Sequence, residues 1–105
     1  MNRSHLLKEI RLQRISWLKR DLDPGIVNEI SDLAITAVEG FDSFKEMAHY
    51  LKAELDEKVA WGWNVIVGKK FSGLFVHRRG NLASFKIGSV YFLIFNARKV
   101  RYVGK

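Results

Sequence analysis

A chain of 105 residues with one proline and no cysteine holds a single domain with one modest core, and it excludes a disulfide framework and thiolate chemistry. No apolar run approaches the roughly 20 residues of a membrane span, and the N-terminus lacks a signal-peptide stretch, so the expectation is a soluble intracellular domain without membrane contact. The net charge of +7 is segregated: residues 1–20 carry +5, residues 21–57 carry −8, and residues 58–105 carry +10 with no acid at all. An acidic middle and a basic end partly neutralise each other when they pack together, a reading that ranks above nucleic-acid binding.

Residues 1–14 hold Leu6, Leu7 and Ile10 among basic side chains and read as a turn or two of amphipathic helix, loosely docked. Ile15 to Leu18 suits a short strand before a charged turn, Lys19 to Asp23. Asp23-Pro24 is a helix start, an N-cap oxygen followed by proline at the first helical position. Ile26, Ile30, Leu33, Ala37 and Val38 then fall on one helical face, and Gly40 offers a stop. Ser43 with Glu46 forms a capping box for a second helix, whose stripe is Phe44, Met47, Ala48, Leu51 and Leu55 and which fades around Lys58 to Ala60. Two helices followed by strands give an α+β order.

The stretch from Trp61 to Phe95 has no Pro, Asp or Glu and is cut by Gly68, Gly73, Gly80 and Gly88 into four strand-like pieces. The first, Trp63 to Val67, and the last, Val90 to Phe95, are nearly continuous in apolar residues and predict cover on both faces. The second, Phe71 to His77, lies between Lys69-Lys70 and Arg78-Arg79 and is interrupted by Ser72-Gly73. Its ends look like an edge and its middle does not; an apolar edge needs something to pair with it.

Dedicated chemistry is sparse. His5, His49 and His77 show no metal-ligand spacing, so no metal site or cofactor is expected. Gly68-Lys-Lys-Phe-Ser-Gly73 has the glycine spacing of a phosphate loop, but Leu74-Phe75 stands where Lys-Ser/Thr should follow. None of the seven serines sits in a nucleophile elbow, and the strand region has no carboxylate to orient a base. No catalytic residue is assigned, and a binding module ranks above an enzyme. The alternative is a basic α+β nucleic-acid-binding module, with Phe71, Phe75, Phe85, Tyr91 and Phe92 for stacking and Lys69, Lys70, Arg78, Arg79 and Lys86 for phosphates. It ranks second because most of those aromatics lie in core-like strand patterns.

Trp63-Asn-Val-Ile-Val-Gly68, Phe71-Ser-Gly, His77, Ile87-Gly88-Ser-Val90 and Phe92-Leu-Ile-Phe95, in that order after two helices, resemble the small dynein light chains. The resemblance covers residues 15–96 as one domain, leaving an N-terminal extension, 1–14, and a basic C-terminal tail, 97–105. It implies two helices packed on an antiparallel sheet, with one strand, Phe71 to His77, exchanged across a homodimer. The other edge of that strand then takes a disordered partner segment as an added strand. What is implied is a non-enzymatic, cytoplasmic, cytoskeleton-associated hub or light chain. Its partners would be a second copy of itself and linear peptide segments, a dynein intermediate chain among them, as in a dynein motor.

Carried over by position, the resemblance implies peptide contacts from Lys69, Lys70, Phe71, Ser72, Gly73, Leu74, Phe75, Val76 and His77. Leu82, Ser84 and Lys86 would come from the next strand, and Ser43, Phe44 and Lys45 from the start of the second helix, where free N–H groups cap a ligand's Gln side chain. The implied dimer interface is Trp63, Asn64, Phe71, Leu74, Phe75 and His77. The chain departs from the usual members at Phe44 (Glu), Val76 (Thr), Leu74, Ser84 and Lys86 (tyrosines) and Asn64 (His). These departures shift the side-chain code away from the usual Thr-Gln-Thr partner motif.

Overall fold

Two caps set the helices. In the computed structural model, which describes residues 13–69 and 82–98, the Asp23 carboxylate accepts the Gly25 N–H at 2.9 Å and Pro24 occupies the first turn of α1, Pro24–Gly40. The apolar face is broader than the spacing predicts: Val27, Ser31, Ala34 and Ile35 are buried beside Ile26, Ile30, Leu33 and Ala37. Ser31 remains satisfied in that setting by donating its hydroxyl to the Val27 carbonyl at 2.7 Å. Gly40 is the last helical residue; the stop is the extended backbone of Phe41 (φ −127°), whose N–H still reaches the Ala37 carbonyl. Phe41 then meets Tyr50 with ring centroids 5.2 Å apart, tying the two helices together.

The second helix, α2, is Phe44–Lys58. Ser43 Oγ accepts the Glu46 N–H at 3.1 Å and donates to the Glu46 carboxylate at 3.2 Å, so the expected Ser-Glu pair does close around the helix start. Met47, Leu51 and Leu55 are buried, with Phe44 and Ala48 partly so.

Four antiparallel strands form one sheet, β1 (Ile15–Asp21), β2 (Trp63–Gly68), β3 (Leu82–Ile87) and β4 (Val90–Asn96), in the order β1-β3-β4-β2. The expected end of β1 at Leu18 is corrected: the strand runs on to Asp21 because Arg20 and Asp21 pair with Ala83 and Leu82 of β3. Charge does not end an edge strand whose backbone is held by a neighbour. Between β3 and β4 the chain turns in two residues, Gly88 and Ser89, with Gly88 at φ +60°, a conformation that disfavours a side chain. The expected strand Phe71–His77 lies outside the described residues, as does most of the N-terminal extension.

Side chains alternate across the sheet. Ala83, Phe85, Ile87, Phe92, Ile94 and Trp63 join the helix-side core, with Trp17, Val65, Val67 and Val90 packed against it. Phe85 stacks on Phe92 at 4.9 Å and meets Trp17 at 4.9 Å from its other side. The helix layer rests mainly through α2 on β2, with α1 on α2.

A polar staple joins α2 to β2. Asp56 Oδ1 accepts the N–H groups of Trp63 (2.9 Å) and Gly62 (3.2 Å), while Lys52 Nζ donates to Asp56 Oδ2 (2.9 Å) and to the Trp63 carbonyl (2.7 Å). Burial pushes the Asp56 carboxyl up, but the Trp63 N–H, Lys52 and the Gly62 N–H together outweigh it and hold the group below its ordinary 3.8. A folded-state value below the unfolded one stabilises the protein fully above pH 3.8, and that contribution is lost as pH falls from there through the lower folded-state value. Asp56→Ala is therefore expected to cost about 1–3 kcal/mol at neutral pH, the cost of leaving partly buried N–H groups unmet. Urea unfolding in neutral and acidic buffer checks it: the gap to the parent protein should narrow in acid.

Candidate partner-binding edge

The two edges of the sheet are built differently. On β1 the register slips between Trp17 and Lys19, leaving Leu18 as a bulge, and the strand finishes in Lys19, Arg20 and Asp21. Arg20 sits 5.2 Å over the Trp17 ring. Bulges and charges are the usual means by which an edge is kept from pairing. On β2 none of these appears: its sequence is WNVIVG, and its register against β4 is unbroken from Trp63↔Asn96 to Gly68↔Tyr91. Among the described residues its outer side has no partner strand.

The face of the sheet turned away from the helices is also apolar around β2. Alternation places Asn64, Ile66 and Gly68 there, with Leu82, Leu93 and Phe95 alongside; Leu82 and Leu93 stand apart from the helix-side cluster. Ile66 is 36% exposed and Asn64 is exposed. Among the described residues of one chain, the cover expected on both faces of β2 is present on the helix side and incomplete on the other. A continuous apolar run here belongs to an edge strand with one half-open face.

The expected site residues separate into groups. Trp63 is fully buried on the helix side with its indole N–H unpartnered, whereas Asn64 faces outward, so the two expected interface residues lie on opposite faces. Ser84 and Lys86 are partly exposed on the outer face and Leu82, on the same face, is buried. Lys69 follows β2 and is exposed. The stretch from Lys70 through Phe71, Ser72, Gly73, Leu74, Phe75 and Val76 to His77 lies outside the described residues. Ser43, Phe44 and Lys45 start α2, which packs on β2 after the short connection 59–62. At 1.5 and 3.3 Å per residue, α2 and β2 are about 22 and 20 Å long. The start of α2 thus stands level with the end of β2, bringing Ser43–Lys45 and Lys69 to the same end of the open edge.

Sequence reasoning missed Asn96, which is buried and binds the Trp61 carbonyl at 3.0 Å and the Arg98 N–H at 2.9 Å. Its signal was an Asn closing an otherwise apolar strand. A cleft of about 370 Å³ lies at the guarded edge, lined by Gln13, Ile15, Trp17, Arg20, Val27, Asn28 and Ser31, and contains none of the expected site residues. No cluster of His, Asp or Glu among the described residues is arranged to hold a metal ion, and no helix there is long and apolar enough to cross a membrane.

The domain is α+β, with one edge guarded by a bulge and charges and one edge that has no partner strand among the described residues. The comparisons place it more narrowly. A family model described as dynein light chain type 1 matches residues 14–97. The cytoplasmic dynein light chain 1 of Debaryomyces hansenii is 39% identical over 77 residues, 73% of this chain and 85% of that one. The protein of the same name from Kluyveromyces lactis is 35% identical over 75 residues, 71% of this chain and 86% of that one. Among solved structures, the dynein light chain-like domain of a Fasciola hepatica calcium-binding protein superposes with a TM-score of 0.66 at 20% identity, over 80% of this chain and 91% of that one, a likeness of fold. The chain belongs to the dynein light chain family.

Proposed function

We propose that this protein is a non-enzymatic, dimeric light chain of the cytoplasm and cytoskeleton, a subunit or hub of a dynein motor. It holds extended segments of partner proteins, a dynein intermediate chain among them, by strand addition. The observation that carries the reading is the contrast between the sheet's two edges: β1 is bulged and charged, while β2 is straight, uncharged and bordered by Ile66 on a half-open face. A strand from a second copy, the segment 71–77, satisfies the β2 backbone, and the rest of that copy covers the face. The far side of the added strand then receives the partner segment, near the start of α2. Two such grooves in one symmetric dimer favour partners that are themselves dimeric. Family membership and the names of the yeast relatives support the dynein assignment. The domain assignment proposed with it is 15–96, flanked by the extension and the basic tail.

Sedimentation equilibrium at micromolar concentration tests this. The expected mass is twice the 12.2 kDa of the chain; a species at the single-chain mass across that range contradicts the proposal. Asn64 carries no titrating group, so the dimer is expected to persist from neutral pH down to about 5, through the window in which a histidine at that position would charge. Light scattering across that range checks it.

A further inference from the structure

We infer that the cleft between β1 and α1 receives the carboxyl-terminal end of a partner peptide whose last side chain is apolar, with Arg20 taking the terminal carboxylate. The bulge at Leu18 is what puts Arg20 there. Ala83, Phe85 and Ile87 of β3 face the helices, and their partners on β1 are Arg20, Trp17 and Ile15. A regular strand would turn Lys19 toward the helices and Arg20 away. The extra residue reverses them and leaves Leu18 63% exposed. Arg20 thus takes the helix-side position that follows two apolar ones. Its guanidinium lies 5.2 Å over the Trp17 ring, exposed, with no carboxylate partner among the described residues.

The cleft supplies the rest of the match. Its volume of about 370 Å³ lies at the lower end of the roughly 300–1,000 Å³ usual for a ligand pocket. Ile15, Trp17 and Val27 give it an apolar middle, and no acid lines it. Asp23 caps α1 through the Gly25 N–H, and Glu39 is engaged by Arg14 at 3.2 Å. The exposed side-chain amides of Gln13 and Asn28 border the cleft without a hydrogen bond among the described residues. Each amide both donates and accepts, as a peptide group does. Buried Ser31 donates to the Val27 carbonyl and keeps its oxygen as an acceptor. Gln13 and Arg20 mark the two ends, about 20 Å apart along β1 at strand spacing, so the occupant is a few residues long. A free carboxylate, an apolar side chain and peptide groups occur together at the end of a peptide chain.

Other occupants fit these features less well. An added strand is disfavoured by the same bulge, which bends the edge, so the occupant is held by side chains. A nucleic acid needs several phosphate contacts, and the lining has one cation. The cleft is also remote from the open edge. β1 and β2 are the outer strands of the order β1-β3-β4-β2, about 14 Å apart across the sheet. Binding here is therefore independent of pairing at β2.

The test is a panel of short labelled peptides ending in Phe, Leu or Gly, each with a free or an amidated carboxyl end. They are titrated against the parent protein and Arg20→Gln, with circular dichroism recorded for both. The Phe and Leu peptides are expected to bind the parent roughly two- to fivefold tighter with the carboxylate free than amidated, the scale of an exposed ion pair. That preference should vanish in Arg20→Gln, and the Gly peptides should bind more weakly throughout. Amide NMR shifts on binding should fall within residues 13–31 and leave 63–68 in place. Should Arg20→Gln lose its fold, the contrast between free and amidated ends in the parent, read with the location of the shifts, decides alone. Equal binding of free and amidated ends, a preference that survives Arg20→Gln, shifts confined to 63–68, or no binding by any peptide overturns the assignment. Equal binding of N-acetyl-phenylalanine alone places a small acid in the cleft and overturns the peptide as its occupant.

Discussion

Ile66→Lys is expected to turn the dimer into a folded monomer. Ile66 is 36% exposed at the middle of β2, on the face opposite the helices. A lysine there can reach water in the single chain, so the change should stay within about 0.5 kcal/mol for folding of the protomer. Once a second copy covers that face, each lysine is buried without a partner, at about 3–5 kcal/mol for an unpaired buried charge. Two-fold symmetry imposes that cost twice. Even one such term weakens association by more than roughly a hundredfold. Light scattering should show the substituted protein at the 12.2 kDa chain mass, with an unaltered circular dichroism spectrum. Leu18→Lys is the matching control, because Leu18 is 63% exposed at the bulged edge, and its mass should not change.

The second large effect is on stability. Phe85 is fully buried on the central strand β3, stacked on Phe92 with planes 13° apart and met by Trp17 from β1. It is the ring that joins three strands to the helix-side core. Phe85→Ala removes its apolar area and leaves a cavity walled by two aromatic rings that backbone pairing holds in place, so the site collapses poorly. The expected cost is about 3–5 kcal/mol, a large part of the roughly 5–15 kcal/mol available to a domain of this size. Urea unfolding at fixed protein concentration reads it, since the proposed dimer would make the midpoint depend on concentration. Leu18→Ala, with its side chain already in water, should move the midpoint little.

The helices were legible because their signals are local. Asp23-Pro24 and Ser43 with Glu46 fix their own starts through bonds within three residues. The α+β class and the packing of two helices on an antiparallel sheet followed from helical and strand periodicities and from the family resemblance. What escaped depends on partners distant in sequence. The end of β1 was set by Ala83 and Leu82 across the sheet, which hold Arg20 and Asp21 in strand geometry despite their charge. The half-open face of β2 was hidden because an uncharged edge strand and a buried central strand have the same composition. Val65 and Ile66 read alike in sequence, and only the register against β4 shows that one faces the helices and the other does not. The Lys52–Asp56 pair was not read from the sequence, because its role in holding the Trp63 peptide needs the chain reversal through Gly62 at φ +99°. Of the candidate groove, Ser43, Phe44, Lys45, Lys69, Leu82, Ser84 and Lys86 can be placed; the strand expected at Phe71–His77 lies outside the described residues.

Amide hydrogen exchange along β2, followed as a function of protein concentration, addresses the pairing itself. Roughly half of the amides from Trp63 to Gly68 point toward β4 and should be protected at every concentration. The others point to the open side. They should exchange quickly in dilute protein and become protected as concentration rises through the dimer's dissociation constant, in step with residues 71–77. Protection of those outward amides that does not change with concentration, in a protein whose mass stays at that of one chain, contradicts a strand donated by a second copy.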